Sequence, residues 1–438
     1  MKRLPKRRKI IFICILILLP MLIVESGAFT LYYILRRQLF PWSKYQSSIR
    51  HIRDYGEVTG PQDNEIRNTE IRLGDIIEVI HPYLGFVLDP RRTQNVSDFG
   101  FREFRDDSNP IVSRTNDQLI IGMFGGSFAE GVYEHGSDAL INSLEAMGWK
   151  VTLVNVTMGG YKQPQQLLAL TYFLSLGAEF DIVITIDGFN EVALPPVENM
   201  PKNVSPMYPR AWYFRTAGVT DQQALRKVAG LAALDLRRKN WARLFADTKL
   251  YYSITMCLVW EGVNGLLESK RSKIISALQS KRIVTNAYVV TGPPYSFHND
   301  DALYEYLATV WKRCSLQMRA ICVGNGIEYY HFLQPNQYVK GSKPMREEER
   351  KMAINNEHPY RPGVVKGYPF LRRYGRELMS HGIKFHDLTM IFAEIEEHLY
   401  TDDCCHVNAE GYKMIASTIG NIIKEDLLNQ QENNNSPR

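Results

Sequence analysis

The chain has 438 residues, of which 45% are hydrophobic and 23% are charged, proportions typical of a folded protein rather than a disordered one. This length suits one large domain with additions, or two domains of ordinary size. The formal net charge of +5 is concentrated in the basic residues 1–9, so the remainder is close to neutral and has no basic stripe of the kind that binds nucleic acid.

The N-terminal segment predicts a membrane anchor. Residues 10–24 are almost all apolar, and the apolar character continues to residue 35, just before Arg36 and Arg37. About 20 apolar residues cross a bilayer, and flanking basic residues stay on the cytoplasmic side. The first apolar block alone would suit a signal-peptide core, but no convincing cleavage site follows it. We therefore predict a signal anchor at residues 10–35, a cytoplasmic tail at 1–9, and the rest of the chain outside the cytoplasmic membrane, in the periplasm or the extracellular space.

Five cysteines follow the predicted anchor: Cys257, Cys314, Cys322, Cys404 and Cys405. In an oxidising compartment they allow up to two disulfides, with one thiol left over, and inert thiols are the alternative. A zinc site built from Cys404, Cys405 and His406 would lack a second cluster of ligands. We therefore predict no metal and no other cofactor.

Beyond the anchor, residues 36–116 are polar and irregular, and predict either a small module packed on the main domain or a spacer. From residue 118 strands and helices alternate. The predicted strands are 119–124, 151–156, 181–186, 284–290 and 327–332; the predicted helices between or after them are 137–147, 163–176, 300–322 and 409–428. This alternation is typical of βαβ units in a parallel sheet covered on both faces. The α/β domain would span residues 117–428, with insertions at about 195–282 and 334–373 and a polar tail at 429–438.

Four short blocks carry the residue types that acyl transfer needs. In chain order they are Gly125-Gly126-Ser127, Asn155-Val156-Thr157-Met158-Gly159-Gly160-Tyr161, Gly188-Phe189-Asn190-Glu191 and Asp402-Asp403-Cys404-Cys405-His406. The first three each follow a predicted strand, so they gather at the edge where open α/β sheets bind ligands. Taken singly, each has a plainer interpretation as a turn, a helix-capping loop or an interface histidine.

The four blocks contain the residue types that nucleophilic catalysis requires. A serine hydroxyl needs a base, and a histidine near neutral pH suits that task. Asp403 stands three residues before His406, so one turn can bring its carboxylate beneath the imidazole; Asp402 is the alternative. The backbone N–H groups of Ser127 and Gly160 and the side-chain amide of Asn190 would then form the oxyanion hole.

In this order the blocks resemble those of the SGNH hydrolase superfamily (GDSL-like esterases and lipases), over about residues 117–194 and 284–425. The resemblance implies a flavodoxin-like three-layer α/β/α sandwich, a catalytic set of Ser127, Asp403 and His406, and an oxyanion hole of Ser127, Gly160 and Asn190. The chain departs from the family where the usual Asp before the serine is Gly126, and where the usual Asn-Asp is Asn190-Glu191. The segment from His81 to Arg102 is similar to that of membrane-anchored bacterial members.

The sequence thus predicts a membrane-tethered, extracytoplasmic serine esterase that hydrolyses an acyl or acetyl ester of an envelope glycan or lipid. Two alternatives remain open. One is an O-acyltransferase that passes the same acyl group to a polysaccharide hydroxyl. The other is a non-catalytic scaffold, with envelope polysaccharide machinery as its partner.

Overall fold

A computed structural model describes residues 6–55, 78–103, 111, 114–220, 222–279 and 287–435. Within these ranges, the side chains of residues 6–15, 17, 18, 51, 54, 55, 217–220, 222–225, 278, 279 and 433–435 are not described. The chain divides into two compact units, one of residues 1–76 with 221–282, the other of residues 77–220 with 283–438. The predicted insertion at 195–282 is therefore divided between them at residue 221.

The helices are α1 (Lys6–Arg36), α2 (Trp42–Tyr55), α3 (Ser127–Glu145), α4 (Gln165–Ser175), α5 (Phe189–Leu194), α6 (Trp212–Thr220), α7 (Gln222–Asp247), α8 (Ile254–Gln279), α9 (Tyr288–Thr291), α10 (Asp300–Gly324), α11 (Glu347–Ala353), α12 (Arg361–Ser380) and α13 (Ala409–Asn435). The strands are β1 (Glu78–His81), β2 (Gly85–Leu88), β3 (Gln118–Gly125), β4 (Lys150–Thr157), β5 (Ile182–Asp187), β6 (Glu328–Leu333) and β7 (Lys384–Asp387). Short π or 3₁₀ turns occupy Pro195–Asn199, Met200–Lys202 and Leu250–Tyr252.

The larger unit is organised around a five-stranded sheet in the order β4-β3-β5-β6-β7. Every pairing in it is parallel. This corresponds to the flavodoxin-like order 2-1-3-4-5. The register places Gly125 opposite both Thr157 and Ile186, so the carboxyl ends of β4, β3 and β5 meet at one edge of the sheet.

Helices cover both faces of the sheet. Successive residues of a strand point to opposite faces, so each strand contributes side chains to both apolar layers. In β3, Ile120 and Phe124 join an apolar cluster on one face, whereas Ile121 and Met123 join a second cluster on the other. Helices α4, α10 and α12 contribute to the first cluster, and α3 and α13 to the second. The predicted three-layer α/β/α arrangement with a parallel sheet is confirmed.

Four predicted strands coincide with β3, β4, β5 and β6 to within two residues. The strand predicted at 284–290 is wrong: residues 284–286 lie outside the described part, and Tyr288–Thr291 form the short helix α9. The fifth strand of the sheet is instead β7, which the sequence did not predict. Helix α3 begins at Ser127 rather than at residue 137, and its internal Gly131 is needed because a Cβ there would lie 2.3 Å from Cζ of Tyr412 in α13.

The smaller unit is helical, with an aromatic core that includes Tyr45, Phe245 and Trp260. Glu25 of α1 accepts a hydrogen bond from the backbone N–H of Ile254, 2.8 Å away, at the start of α8. The signal anchor predicted at 10–35 falls within α1, and the side chains of residues 10–15, 17 and 18 lie outside the described ones. Across the part of the chain that is described, no helix combines the length and the apolar character needed to cross a membrane.

Candidate active site

Ser127 is the first residue of α3, immediately after the carboxyl end of β3. Two glycines bring it there. A Cβ on Gly125 would lie 2.3 Å from the carbonyl oxygen of Ile186, and one on Gly126 would lie 2.2 Å from Nδ2 of Asn190. Since real side chains do not pack so closely, only glycine lets the turn lie against β5 and against the Asn190 amide. The Gly126 departure from the family pattern thus has a steric reason.

A continuous hydrogen-bonded chain runs from the serine to a carboxylate. His406 Nε2 lies 2.9 Å from Ser127 Oγ, and His406 Nδ1 lies 2.6 Å from Oδ2 of Asp402. The backbone N–H groups of Cys404, Cys405 and His406 donate to the other oxygen, Oδ1, at 3.0, 3.0 and 3.1 Å.

The charge on Asp402 fixes the tautomer of the imidazole. Burial alone would raise the pKa of Asp402, but the hydrogen bonds and charge of His406 and the backbone N–H donors outweigh it and lower the pKa to about 2. The ionised carboxylate can only accept, so Nδ1 carries the proton. Nε2 is then free to accept the proton of the Ser127 hydroxyl, which is the arrangement a general base requires.

The structure corrects the predicted carboxylate. Asp403, chosen for its spacing of three from His406, faces the other way: its Oδ2 accepts from Nδ2 of Asn355 at 3.0 Å, and its Oδ1 lies 3.7 Å from Nε2 of His358. Because three backbone N–H groups donate to Asp402, the turn that leads to His406 begins at Asp402 rather than at Asp403. The carboxylate that reaches the imidazole is therefore four residues before it, at the position held open as the alternative.

The predicted oxyanion donors lie beside the serine. The turn after β4 is tied to the nucleophile turn, because the N–H of Met158 donates to the carbonyl of Gly125 at 3.1 Å. Gly160 in that turn has φ +80°, a conformation that favours glycine. Asn190 donates from Nδ2 to the carbonyl of Tyr161 at 2.7 Å, which fixes its amide against Gly126. Within the described chain, no hydrogen bond uses the N–H of Ser127 or of Gly160.

Glu191 joins the two turns that carry the oxyanion donors. Its Oε1 accepts from the N–H of Gln163 at 2.9 Å, and its Oε2 accepts from the N–H of Gly188 at 2.8 Å. Burial, followed by the nearby Asp187, raises the pKa of Glu191 to about 8, although the backbone donors oppose this shift. The sequence identified Glu191 only as a departure from the family pattern. Its position one residue after Asn190 was the signal for this role.

Two further ion pairs beside the site were not predicted. Glu130, one helical turn after Ser127, is paired with Arg102, which precedes the main sheet in the chain, with 3.0 Å between Oε1 and Nε. Burial raises the pKa of Glu130 to about 7, although Arg102 opposes the shift. Near Gly160, Arg210 is paired with Glu198 at 3.0 Å. The spacing of three between Ser127 and Glu130 was the only local signal; Arg102 and Arg210 reach the site through long-range contacts.

The loop that carries Asp402 and His406 brings together three atoms that are able to bind a metal ion. The sulfur atoms of Cys404 and Cys405 and a ring nitrogen of His406 lie within 4.8 Å of one another. Both ring nitrogens of His406 already make hydrogen bonds, so a metal ion there would displace Ser127 or Asp402. The five described cysteines are free thiols, and the Cys404 and Cys405 sulfurs lie 3.7 Å apart.

Comparison with protein-family models gives no match, and no curated protein matches. Among solved structures, the chain is similar to a GDSL-like lipase of Bacteroides thetaiotaomicron, at 11% identity and a TM-score of 0.35, over 72% of this chain and 93% of that one. It is also similar to a lipase/acylhydrolase of Enterococcus faecalis, at 12% identity and a TM-score of 0.32, over 70% of this chain and 96% of that one. These structures are of the kind that the four blocks resemble.

Proposed function

We propose that the protein is a serine esterase of the SGNH type that cleaves a carboxylic ester through an acyl-enzyme. The observation that carries this proposal is the chain from Ser127 Oγ through His406 to an ionised Asp402, with distances of 2.9 and 2.6 Å. Such a chain beside preorganised N–H donors is what acyl transfer requires.

In the proposed reaction, Ser127 Oγ attacks the ester carbonyl carbon while its proton passes to Nε2 of His406. The negative charge on the carbonyl oxygen is stabilised by the N–H groups of Ser127 and Gly160 and by the amide of Asn190. Collapse breaks the bond to the alcohol, which leaves with the proton from Nε2. Water then attacks the acyl-serine and gives a proton to the same nitrogen. As the bond between the acyl group and Ser127 Oγ breaks, Nε2 returns that proton to Oγ, which releases the acid and restores the serine hydroxyl.

The proposal includes a location and a substrate class. The basic residues 1–9 and the apolar residues 10–35 support a single-pass anchor with the catalytic domain outside the cytoplasmic membrane. An enzyme held there would act on acyl or acetyl esters of an envelope glycan or lipid. A C-terminal reporter fusion that is active only in the cytoplasm would rule out this location.

Fluorophosphonate labelling and aryl-ester hydrolysis by the full chain in detergent test the chemistry. We expect rapid labelling and hydrolysis by the wild type, both abolished in Ser127→Ala and both retained in Ser143→Ala, a serine farther along the same helix. An unlabelled wild type would refute the esterase and favour a scaffold. Labelling without hydrolysis until a glycan acceptor is added would identify an acyltransferase.

A further inference from the structure

A cleft of about 470 Å³ lies in the larger unit between α12 and the segment after β6. The lining residues that matter here are Tyr338, Lys340, Val365, Pro369, Arg372 and Arg376. The last four follow one another at spacings of four, three and four, so they form a single stripe along α12. The stripe is apolar at one end and cationic at the other, and with Lys340 it gives the cleft three positive charges.

Most of this charge is not neutralised by neighbouring carboxylates. Arg372 is paired with Asp387, with 2.7 Å between Nε and Oδ2. Lys340 and Arg376 are exposed and make no ion pair among the described residues. The carboxylate next to Arg376, Glu377, is paired with Lys312 at 2.7 Å. Like charges held around one concavity favour the binding of an anion.

The cleft also offers an acceptor and an apolar surface. Pro369 has no N–H, so the carbonyl of Val365, four residues earlier, lacks its helical hydrogen-bond donor. A carbonyl without its helical donor is able to accept from a ligand hydroxyl. Tyr338 is half-buried and is one of the residues that line the cleft. Cations, a carbonyl acceptor and an aromatic side chain together suit a sugar that bears an acidic group.

The wall of the cleft is in direct contact with the catalytic loop. Tyr338 donates from its hydroxyl to the carbonyl of Asp403 at 2.7 Å, and Gln337 donates from Nε2 to the carbonyl of Asp402 at 3.1 Å. Asn336 donates from Nδ2 to the carbonyl of Cys404 at 3.0 Å. Tyr338 of the cleft wall and its two preceding neighbours therefore hold the backbone of residues 402–404, which lead into His406.

We propose that this cleft binds an anionic saccharide part of the substrate, a sugar bearing a carboxylate or a phosphate group. Identifying the ligand with the substrate rests on the esterase function proposed above; the binding site itself does not. Binding energy from such a remote part of a substrate contributes to its recognition and to its orientation at the reacting ester. Small neutral esters would not use it.

The binding test uses the full chain in detergent with fluorescently labelled tetragalacturonate, read by fluorescence anisotropy. We expect binding that weakens with added salt, and a loss of about tenfold or more in affinity in Lys340→Gln/Arg376→Gln. The matched control is Lys366→Gln/Arg373→Gln, which removes the same charge from outside the cleft and should bind as the wild type does. Thermal unfolding checks that both variants are folded. Inorganic phosphate and a phosphorylated sugar, added as competitors, show which acidic group is preferred.

Equal affinity for labelled maltotetraose, which is neutral, would overturn the proposal, as would an equal loss in the two double variants. Hydrolysis of a small neutral aryl ester should be unchanged in Lys340→Gln/Arg376→Gln. The binding measurement is repeated in Ser127→Ala, which cannot form the acyl-enzyme, so that binding to the cleft is tested separately from the esterase reaction. Binding without fluorophosphonate labelling of the wild type would leave the cleft in place and refute the esterase. Labelling without binding would do the reverse.

Discussion

Replacing Asp402 by asparagine tests the geometry of the site most directly. The amide oxygen can still accept the backbone N–H groups that Oδ1 accepts now, so the loop should keep its shape. The other oxygen becomes an NH2 donor facing Nδ1 of His406, which lies 2.6 Å from it in the native site. Two donors cannot share a hydrogen bond, so the proton of the imidazole moves to Nε2. There it prevents His406 from accepting the proton of Ser127.

The size of the effect follows from this tautomer change. A triad histidine held in the wrong tautomer loses about 10⁴-fold in kcat, or about 5 kcal/mol of transition-state stabilisation. Stability should fall as well. The pKa of Asp402 is lowered from 3.8 to about 2, so its ionised form stabilises the fold fully above pH 3.8, and this contribution is lost as the pH falls through about 2. At neutral pH the variant lacks roughly 2 kcal/mol of that stabilisation.

The assay is kcat and KM for p-nitrophenyl acetate, with thermal unfolding of each variant measured between pH 2 and pH 7. Asp403→Asn makes the same change of charge one residue away and should retain activity close to that of the wild type, because Asp403 contacts Asn355 rather than His406. If Asp403→Asn lost the activity and Asp402→Asn kept it, both the tautomer argument and the assignment of Asp402 would be refuted.

Three other outcomes are expected. In Glu191→Gln an amide replaces one of the oxygens that accept from Gln163 and Gly188, so kcat should fall by about 10²-fold with little change in KM; an equal loss in the exposed Glu134→Gln would contradict this. Gly126→Ala forces the Asn190 amide aside and should lower kcat by a similar factor, whereas Gly159→Ala, whose Cβ would lie 3.7 Å from Glu130, should be nearly neutral. The pKa of Glu130 is raised from 4.5 to about 7, so the wild type should lose stability as the pH rises from 4.5 through 7, and Tm measured across that range should depend less on pH in Glu130→Gln.

The sheet was predictable where strands are buried on both faces. Such strands are rich in apolar residues along their length. In β3 to β6 every residue after the first is buried and most are apolar, although Asn155 in β4 and His331 in β6 are polar. The edge strand β7 has four residues, of which only Phe385 is buried, so its sequence carries no apolar run. Residues 284–290 show the reverse: their β-branched and aromatic residues predict a strand, yet Tyr288 and Val289 are exposed in α9. Among the described residues 287–290 only Val290 is buried, against Val204 and Tyr213.

The residues of the site were predictable to the extent that local position determines them. Ser127 and Asn190 each follow the end of a strand, and the parallel topology alone brings those ends to one edge. The carboxylate was not predictable in this way, because Asp402 and Asp403 are neighbours of the same residue type. What separates them is a contact from far along the chain: Asn355, in the insertion before α12, binds Asp403 and draws it away, while the backbone N–H groups of residues 404–406 hold Asp402 under the imidazole. A rule based on the spacing of residues 402–406 cannot predict the effect of Asn355, which lies 48 positions from Asp403 in the chain.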